Sequence, residues 1–371
     1  MLTGGPPRRE AVIDVRASQI GNESFNRAAA SCRLTPPSVS GQQPRLLLGI
    51  SASLRLFPGR AMCEEARLAR ATGARTVRED LSWAQSEPRP NQYDWANYDA
   101  VVTTATNAGL TVLPVLDDAP AWAATTPTTI PSDPASYAGF TAAAVRRYGP
   151  GGTFWRVHPG LPAHPLVWYE LWNEPYYADH NRDPGAYARL ARAAVTAGRA
   201  SNPAARFLIE GDTGYQTPSG GSADWIAGMY AAVPDLGGYF DALAVHPYGG
   251  NPAIYTPADA DGQPGRVQLA HDELAAHGDG AKPVWVTEIG WSTCSGAEGC
   301  VTKAQQASYL SEFLRLARTT WSSYVRAVFV YDLRDSASRP DDREAWFGLL
   351  APDLSPKPAW QSLRDAATSS Q

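Results

Sequence analysis

The 371-residue sequence is poor in charge and has neither a basic cluster nor a long apolar run. Charged residues make up 19% of the chain and the formal net charge is −5. No stretch of lysine and arginine indicates a nucleic-acid-binding face, and no apolar run approaches the roughly 20 residues that span a bilayer. These absences argue against a nucleic-acid partner and a membrane span, and the length suffices for one large core.

Cysteine is also scarce, and its four copies do not have the spacing of a zinc site. Cys294 and Cys300 lie in one polar loop, where we favour a disulfide over two free thiols. Cys32 and Cys63 form a second candidate pair. Because disulfides are typical of exported proteins, a secreted or extracellular location is favoured. Residues 1–45, however, contain no apolar segment of the kind found in signal peptides.

Two short stretches organise the rest of the chain. LVWYELWNEP (residues 166–175) is a continuous apolar run rich in β-branched and aromatic residues, which predicts a buried strand stopped by Pro175. PVWVTEIGW (residues 283–291) has the same design. The two predicted strands therefore end at Glu174 and Glu288. A carboxylate in such a place is costly unless the site uses or pairs it, so both are candidate functional residues.

Strands and helices alternate from residue 45 onward. Each predicted strand is followed by a predicted helix, and this alternation implies parallel strands. Eight such units in about 320 residues predict a closed (β/α)8 TIM barrel. A doubly wound open sheet is the second choice, because no Gly-rich turn follows the first strand. The predicted strands are 46–50, 74–78, 110–116, 166–174, 206–210, 240–246, 283–288 and 325–331.

In a TIM barrel the carboxyl ends of all strands form the active face. Two carboxylates there fit glycoside hydrolysis, in which one acid protonates the leaving oxygen and a second carboxylate acts from the other side. Glu174, on an aromatic strand beside Pro175, suits the partly desolvated acid with a raised pKa. Glu288 suits the ionised nucleophile, with Arg78 and Tyr248 as candidate partners.

These motifs resemble those of the clan A glycoside hydrolases, a group of retaining (β/α)8 enzymes, and most of all its family 39-like and cellulase-like (family 5-like) members. WNEP at 172–175 matches the acid/base motif of the clan, and WVTEIGW at 285–291 matches its nucleophile motif. REDLSW at 78–83 and HPY at 246–248 resemble regions at the ends of the second and sixth strands. The resemblance covers residues 45–365.

The resemblance implies a role for each matching residue. Glu174 would be the acid/base and Glu288 the nucleophile. Asn173 would hydrogen-bond the 2-hydroxyl of the sugar, Arg78 would hold the charge of the nucleophile, and Tyr248 would donate to it.

The aromatic platform for the sugar is where this chain departs from its relatives. Many of them have a Trp at the end of strand eight, where this sequence has Tyr331. Either Tyr331 serves as a smaller platform, or Trp291 or Trp346 substitutes. His246 is a further candidate, with a packing histidine as the alternative. The candidate substrate-binding residues are Arg78, Asn173, His246, Tyr248, Trp291, Tyr331 and Trp346.

The sequence therefore predicts a retaining glycoside hydrolase that cleaves O-glycosidic bonds of an oligo- or polysaccharide, or of a simpler glycoside, by double displacement. Residues 1–43 are predicted to be a loosely structured tail or cap, and 44–371 the catalytic domain of a monomer. The expected partner is a carbohydrate, and no cofactor or metal is expected. Two alternatives stay open, a carbohydrate-binding barrel without turnover and a transglycosylase. The sugar, the linkage and endo or exo action also stay open.

Overall fold

The computed structural model of the chain describes residues 46–177, 182–217, 222–256, 263–336 and 338–368. The predicted tail, residues 1–43, lies outside these ranges, and so does Cys32 of the candidate pair Cys32–Cys63. Within the described ranges, no helix combines the length and apolarity needed to cross a membrane.

The described residues form a closed barrel of eight parallel strands, as predicted. Each strand pairs with its neighbours in sequence, and the first pairs with the last. The fold is therefore a (β/α)8 barrel. Its strands are β1 (Leu47–Ser51), β2 (Thr76–Ser82), β3 (Thr111–Asp117), β4 (Trp168–Leu171), β5 (Arg206–Glu210), β6 (Ala242–Val245), β7 (Val284–Ile289) and β8 (Val325–Val330).

Each strand leads into a helix of the outer ring. Asp133 and Asp183 cap their helices with side-chain carboxylates and each is followed by Pro, the arrangement favoured at a helix start. Thr302 and Gln305 form a capping box. The helices are α1 (Arg60–Ala71), α2 (Ala96–Asn107), α3 (Pro134–Tyr148), α4 (Pro184–Ser201), α5 (Trp225–Ala232), α6 (Arg266–Ala276), α7 (Lys303–Arg318) and α8 (Pro358–Thr368).

The interior of the barrel is filled by apolar side chains at its lower end. Trp168 and Trp285 pack there with ring centroids 4.5 Å apart, and Trp285 stacks on Phe329 at 6.3 Å. A Cβ atom at Gly49 would lie 2.2 Å from the Phe329 ring, so β1 leaves room for it only as glycine. These rings close the barrel below its carboxyl end, so the polar residues above them meet solvent from one side only.

Glu79 on β2 is a buried carboxylate outside the barrel interior. It is 2% exposed, and its Oε1 accepts a hydrogen bond of 3.0 Å from the Leu54 backbone N–H. Its Oε2 has no hydrogen-bond partner among the described residues. Burial raises the pKa of Glu79 to about 8, against the smaller opposing effect of the Leu54 bond.

We expect Glu79→Gln to reduce the loss of stability that occurs as pH rises from about 4.5 to about 8. The folded protein holds a proton on Glu79 that the unfolded chain releases near pH 4.5, so this contribution to stability is lost as pH rises from about 4.5 to about 8. Its maximal slope is about 1.4 kcal/mol per pH unit. Urea unfolding between pH 4 and 9 measures the difference between the two proteins. If the free energies of unfolding of the two proteins change in parallel with pH, the raised pKa assigned to Glu79 is wrong.

Candidate active site

A charged layer lies directly above the aromatic floor of the barrel. Strand alternation turns Arg78 of β2, Glu170 of β4 and Glu210 of β5 inward, and His246 follows the end of β6. All four side chains are at most 4% exposed. Charged groups buried to this extent persist only when they are paired.

Arg78 makes most of these pairings. Its Nε and Nη2 donate to the two carboxylate oxygens of Glu170 at 2.9 and 3.1 Å, a bidentate arrangement. Its Nη2 also donates to Asn173 Oδ1 at 2.8 Å, and its Nη1 donates to Glu288 Oε1. Burial alone would raise the pKa of Glu170, but Arg78 outweighs it and holds that pKa well below its ordinary value.

The loop after β4 carries two left-handed residues. Trp172 has φ 68° and Glu174 has φ 45°, a region that non-glycine residues seldom adopt and that clusters at functional sites. The Trp172 ring packs edge-on against Tyr137 in the core, and the backbone N–H of Trp172 donates to Leu116 O at 3.0 Å. This buried anchor directs Asn173 and Glu174 to the barrel mouth. β4 therefore ends at Leu171, earlier than predicted, and Glu174 lies three residues past its end.

A β-bulge on β7 aims the second carboxylate. Val286 pairs with Val328, and Ile289 with Val330, so two residues of β7, Thr287 and Glu288, face one residue of β8. Consecutive side chains of a regular strand point to opposite faces, but the bulge brings both into the site. Thr287 Oγ1 lies 3.0 Å from His246, while Glu288 contacts Arg78.

Glu288 receives a second donor from the β6 side. The Tyr248 hydroxyl donates to Glu288 Oε2 at 2.5 Å. Burial and the neighbouring Glu288 raise the pKa of Tyr248 well above its ordinary value, so its hydroxyl keeps its proton. Two donors, Arg78 and Tyr248, thus stabilise the negative charge of one carboxylate, as a nucleophile requires.

His246 lies between Glu174 and Glu210. Its Nδ1 is 3.0 Å from Glu174 Oε1, and its Nε2 is 3.2 Å from Glu210 Oε1. Burial opposes the charged imidazole, but Glu210 and Glu288 outweigh it and raise the pKa of His246. Burial raises the pKa of Glu210 to about 8, although His246 opposes that shift. Both groups therefore hold a proton more tightly than they would in water.

Glu174 and Glu288 meet at the centre of this arrangement. A carboxylate oxygen of each, together with a ring nitrogen of His246, lies in a group whose atoms are all within 4.8 Å of one another. Carboxyl groups about 5 to 5.5 Å apart suit direct attack on an anomeric carbon, whereas larger gaps admit a water. The geometry fits the retaining arrangement.

The same side chains have the spacing of metal ligands. Glu170, Glu210 and His246 form one such group, and Glu174, His246 and Glu288 form another. In each group, however, a carboxylate is already bound to Arg78. A metal cation there would face the guanidinium at close range, so the donor set does not fit a resident metal.

The structure brings one of the predicted aromatic platforms to the mouth. Tyr331 stacks edge-on with Tyr248 and Phe347, at centroid distances of 6.0 and 5.5 Å. Trp291 instead is 4% exposed and packs against Tyr309 of α7, with its Nε1 bonded to Gly250 O at 2.9 Å. It lies with the core rather than with the carboxylates.

Trp346 lies in the segment that follows β8, which contacts the loop after β7. The predicted Cys294–Cys300 disulfide is present, with the two Cα atoms 5.1 Å apart. Within the same loop, Thr293 N donates to Trp346 O at 2.8 Å, so the loop after β7 supports the segment that follows β8. Trp346 itself is partly exposed.

Sequence reasoning missed both Glu170 and Glu210 as candidate site residues. Both are fully buried and both pair with the charged layer. One signal was available. Glu170 lies four residues before Glu174 inside an apolar strand, where a charge without a partner would be costly.

The chain is similar to a known protein family. A profile of the cellulase family (glycosyl hydrolase family 5) matches residues 63–326, more than half of the chain. No curated protein matches the chain.

Several solved structures share the fold at low identity. A family 39 glycoside hydrolase from Bacteroides cellulosilyticus WH2 has 24% identity and a TM-score of 0.63 over 90% of this chain and 65% of its own. A monomeric β-xylosidase from Caulobacter crescentus CB15 has 20% identity and a TM-score of 0.63, with coverages of 88% and 68%. The exo-β-1,4-mannosidase Op5Man5 from Opitutaceae bacterium strain TAV5 has 17% identity and 0.58, with 91% and 62%. The chain thus spans about two thirds of the length of these proteins.

We expect Arg78→Met to lower the free energy of unfolding by about 3–5 kcal/mol, because it leaves Glu170 buried without its cation. Adding Glu170→Gln should restore part of that loss, since the uncompensated charge is then gone. Urea unfolding of both single variants and the double variant measures the coupling.

The matched control is Arg315→Met, which removes an exposed arginine paired with Glu312. It should change stability by no more than about 0.5 kcal/mol. Equal losses for Arg78→Met and Arg315→Met would contradict the dependence of the charged layer on Arg78.

Proposed function

The chain belongs to the cellulase family, glycosyl hydrolase family 5, whose members are retaining glycoside hydrolases, and we propose that it hydrolyses β-linked glycosides with Glu174 as acid/base and Glu288 as nucleophile. The observation that carries this proposal is the approach of the two carboxylates within 4.8 Å of each other at the barrel mouth. Their hydrogen-bond partners distinguish the roles of the two carboxylates. Glu288 is held by Arg78 and Tyr248, whereas Glu174 contacts His246.

The reaction proceeds in two displacements. Glu174 gives its proton to the glycosidic oxygen while a carboxylate oxygen of Glu288 attacks the anomeric carbon, and the bond to the leaving group breaks. The product of this step is a glycosyl ester on Glu288. The Glu174 carboxylate then takes a proton from a water whose oxygen attacks the same carbon, which releases Glu288. Two inversions retain the configuration.

The neighbouring residues assist each step. Arg78 and Tyr248 stabilise the charge that returns to Glu288 when the ester is cleaved. Asn173 accepts a hydrogen bond from Arg78, and we assign it the hydrogen bond to the 2-hydroxyl of the sugar beside Glu288. Tyr331 packs edge-on against Tyr248 at a centroid distance of 6.0 Å, and we assign it the platform role. Trp291 and Trp346 stay predictions, as does a substrate contact for His246.

The substrate is proposed from chemistry and fold together. The similar structures include a β-xylosidase and an exo-β-1,4-mannosidase, so β-xylosides, β-mannosides and β-glucosides are the first to test. We also propose that residues 44–371 form the catalytic domain and that it acts as a monomer.

The first experiment is intact mass measurement after incubation with activated 2-deoxy-2-fluoro glycosides of glucose, xylose, mannose and arabinose. Fluorine slows hydrolysis of the ester, so a covalent adduct should accumulate and map to Glu288. Glu288→Gln should form none. An adduct on a different carboxylate would overturn the assignment of the nucleophile.

We expect Glu288→Gln to lower kcat by at least about a thousandfold for every substrate, because no other group can form the ester. The exposed Glu64→Gln is the control and should leave kcat unchanged. Retained turnover in Glu288→Gln, with folding intact by circular dichroism, would sink the mechanism.

Glu174→Ala should behave differently, because the decrease in the rate of the first step should depend on the leaving group. With an alkyl leaving group, which needs a proton, the first step should slow by about 10²- to 10⁴-fold. With 2,4-dinitrophenolate, which leaves without a proton, that step should change far less, and azide should restore turnover by replacing water. An equal loss for both leaving groups in single-turnover measurements would contradict the acid role.

A further inference from the structure

The ends of β1, β2 and β3 form a polar rim that the proposed chemistry does not use. Ser51 is the last residue of β1 and Asp117 the last of β3. Both are buried, at 6% and 9% exposure, and neither Ser51 Oγ nor Asp117 Oδ1 has a hydrogen-bond partner among the described residues. Buried polar groups are nearly always satisfied, so two orphans on one rim need an explanation.

Both side chains are on the inner face of the barrel. On β3, Leu113 packs in the barrel interior, and Asp117 lies four residues further on, with the same orientation. On β1, Leu47 packs against the same interior cluster and Ser51 is four residues beyond it. Ser51 is also the register partner of Arg78, which places it level with the charged layer.

Asp80 lies between them on β2, two residues above Arg78 and on the same face. Arg55, from the loop after β1, covers it through hydrogen bonds of 2.8 and 3.3 Å to one carboxylate oxygen. The Asp80 side chain is 36% exposed and that of Arg55 21%. The rim therefore combines an ion pair that meets solvent with two buried groups that each have an atom without a hydrogen-bond partner.

Asp117 differs from two other carboxylates near strand ends, Asp212 and Asp335. Asp212, which follows β5, bonds the Gly214 N–H and Arg266, each at 3.3 Å. Asp335, beyond β8, is paired with Lys357 at 2.8 Å. These two carboxylates are satisfied within the protein, whereas Asp117 is left with an open acceptor at the substrate face.

We propose that Asp117 recognises a hydroxyl group of the sugar bound beside Glu288, with Ser51 and the Arg55–Asp80 pair completing that end of the sugar site. This inference rests on the proposed function. A sugar hydroxyl both donates and accepts, so it can satisfy a carboxyl group and a serine hydroxyl together. Asp117 is therefore a specificity-determining residue, distinct from the groups that hold Glu288.

The charge of the rim also defines the class of sugar. Asp80, Asp117 and Asp118 lie near two arginines whose charges are already engaged, Arg55 by Asp80 and Arg78 by Glu170 and Glu288. Burial raises the pKa of Asp117, and the nearby Asp118 and Asp80 add to the shift. Burial and these neighbouring carboxylates disfavour a negative charge at Asp117, and they would disfavour the carboxylate of an anionic sugar in the same way. The rim therefore selects a neutral sugar over a uronic acid.

The test uses the 4-nitrophenyl β-glycosides of xylose, glucose and mannose, together with 3-, 4- and 6-deoxy analogues of the one hydrolysed fastest. Asp117→Ala should lower kcat/KM for the parent sugar by about 10- to 150-fold, the value of one hydrogen bond to a charged or polar group. For one deoxy analogue it should change kcat/KM by less than threefold, since the partner hydroxyl is already missing. Asp117→Asn keeps the shape of the side chain and part of its hydrogen bonding, so its kcat/KM for the parent sugar should lie between those of the wild-type protein and Asp117→Ala.

Asp212→Asn is the matched control, because it alters a strand-end carboxylate that already has its own partners. Any loss it causes should be the same for parent and deoxy sugars. In a second arm, the wild-type protein should hydrolyse 4-nitrophenyl β-glucuronide at least about 100-fold more slowly than the glucoside. A comparable glucuronide rate would overturn the choice of a neutral sugar.

The possible failures are distinguishable. If the wild-type protein hydrolyses these glycosides while Asp117→Ala and Asp117→Asn, both folded, lower kcat/KM equally for parent and every deoxy sugar or not at all, the inference is wrong and the proposed function stands. If the wild-type protein hydrolyses none of them and releases no sugar from xylan, mannan or β-glucan, the proposed function fails, and the inference fails with it.

Discussion

The bidentate pairing of Arg78 with Glu170 is the interaction on which the rest of the site depends. One guanidinium neutralises a fully buried carboxylate and uses its remaining donors on Asn173 and Glu288. Because a buried charge without a partner is strongly unfavourable, the positions of these groups are coupled rather than independent. Glu288, the proposed nucleophile, is thereby held by a residue that the fold itself needs, and the local structure around it has little freedom to vary.

The mouth of the barrel holds two chemically different sets of groups. Glu174, His246 and Glu288 are hydrogen-bonded to one another or to Arg78 of β2. Ser51 Oγ of β1 and Asp117 Oδ1 of β3 have no hydrogen-bond partner among the described residues. In the proposed mechanism, the groups that attack the substrate or transfer protons are therefore fixed in advance, as electrostatic catalysis requires. A bound molecule can supply the hydrogen-bond partners that Ser51 Oγ and Asp117 Oδ1 lack.

The sequence was informative where one physical constraint dominated. Alternating apolar runs predict eight βα units, and Glu288 can be placed at the mouth because its strand is almost wholly apolar. The end of β4 could not be predicted, since the turn at Trp172 depends on packing against Tyr137, which is distant in sequence. Glu210 was underestimated for a similar reason. Its partners, His246 and Tyr187, come from other elements, and a single strand end does not reveal them.

The bulge on β7 makes the site sensitive to chain length as well as to side chains. It depends on one extra residue opposite β8, and that residue is why Thr287 and Glu288 can both serve the interior. A substitution at Val286 or Ile289 would leave this count unchanged. A deletion of one residue would restore regular alternation and turn one of the two side chains toward the helices. During divergence this strand can therefore change its composition gradually, but its length can change only together with the loss of the site.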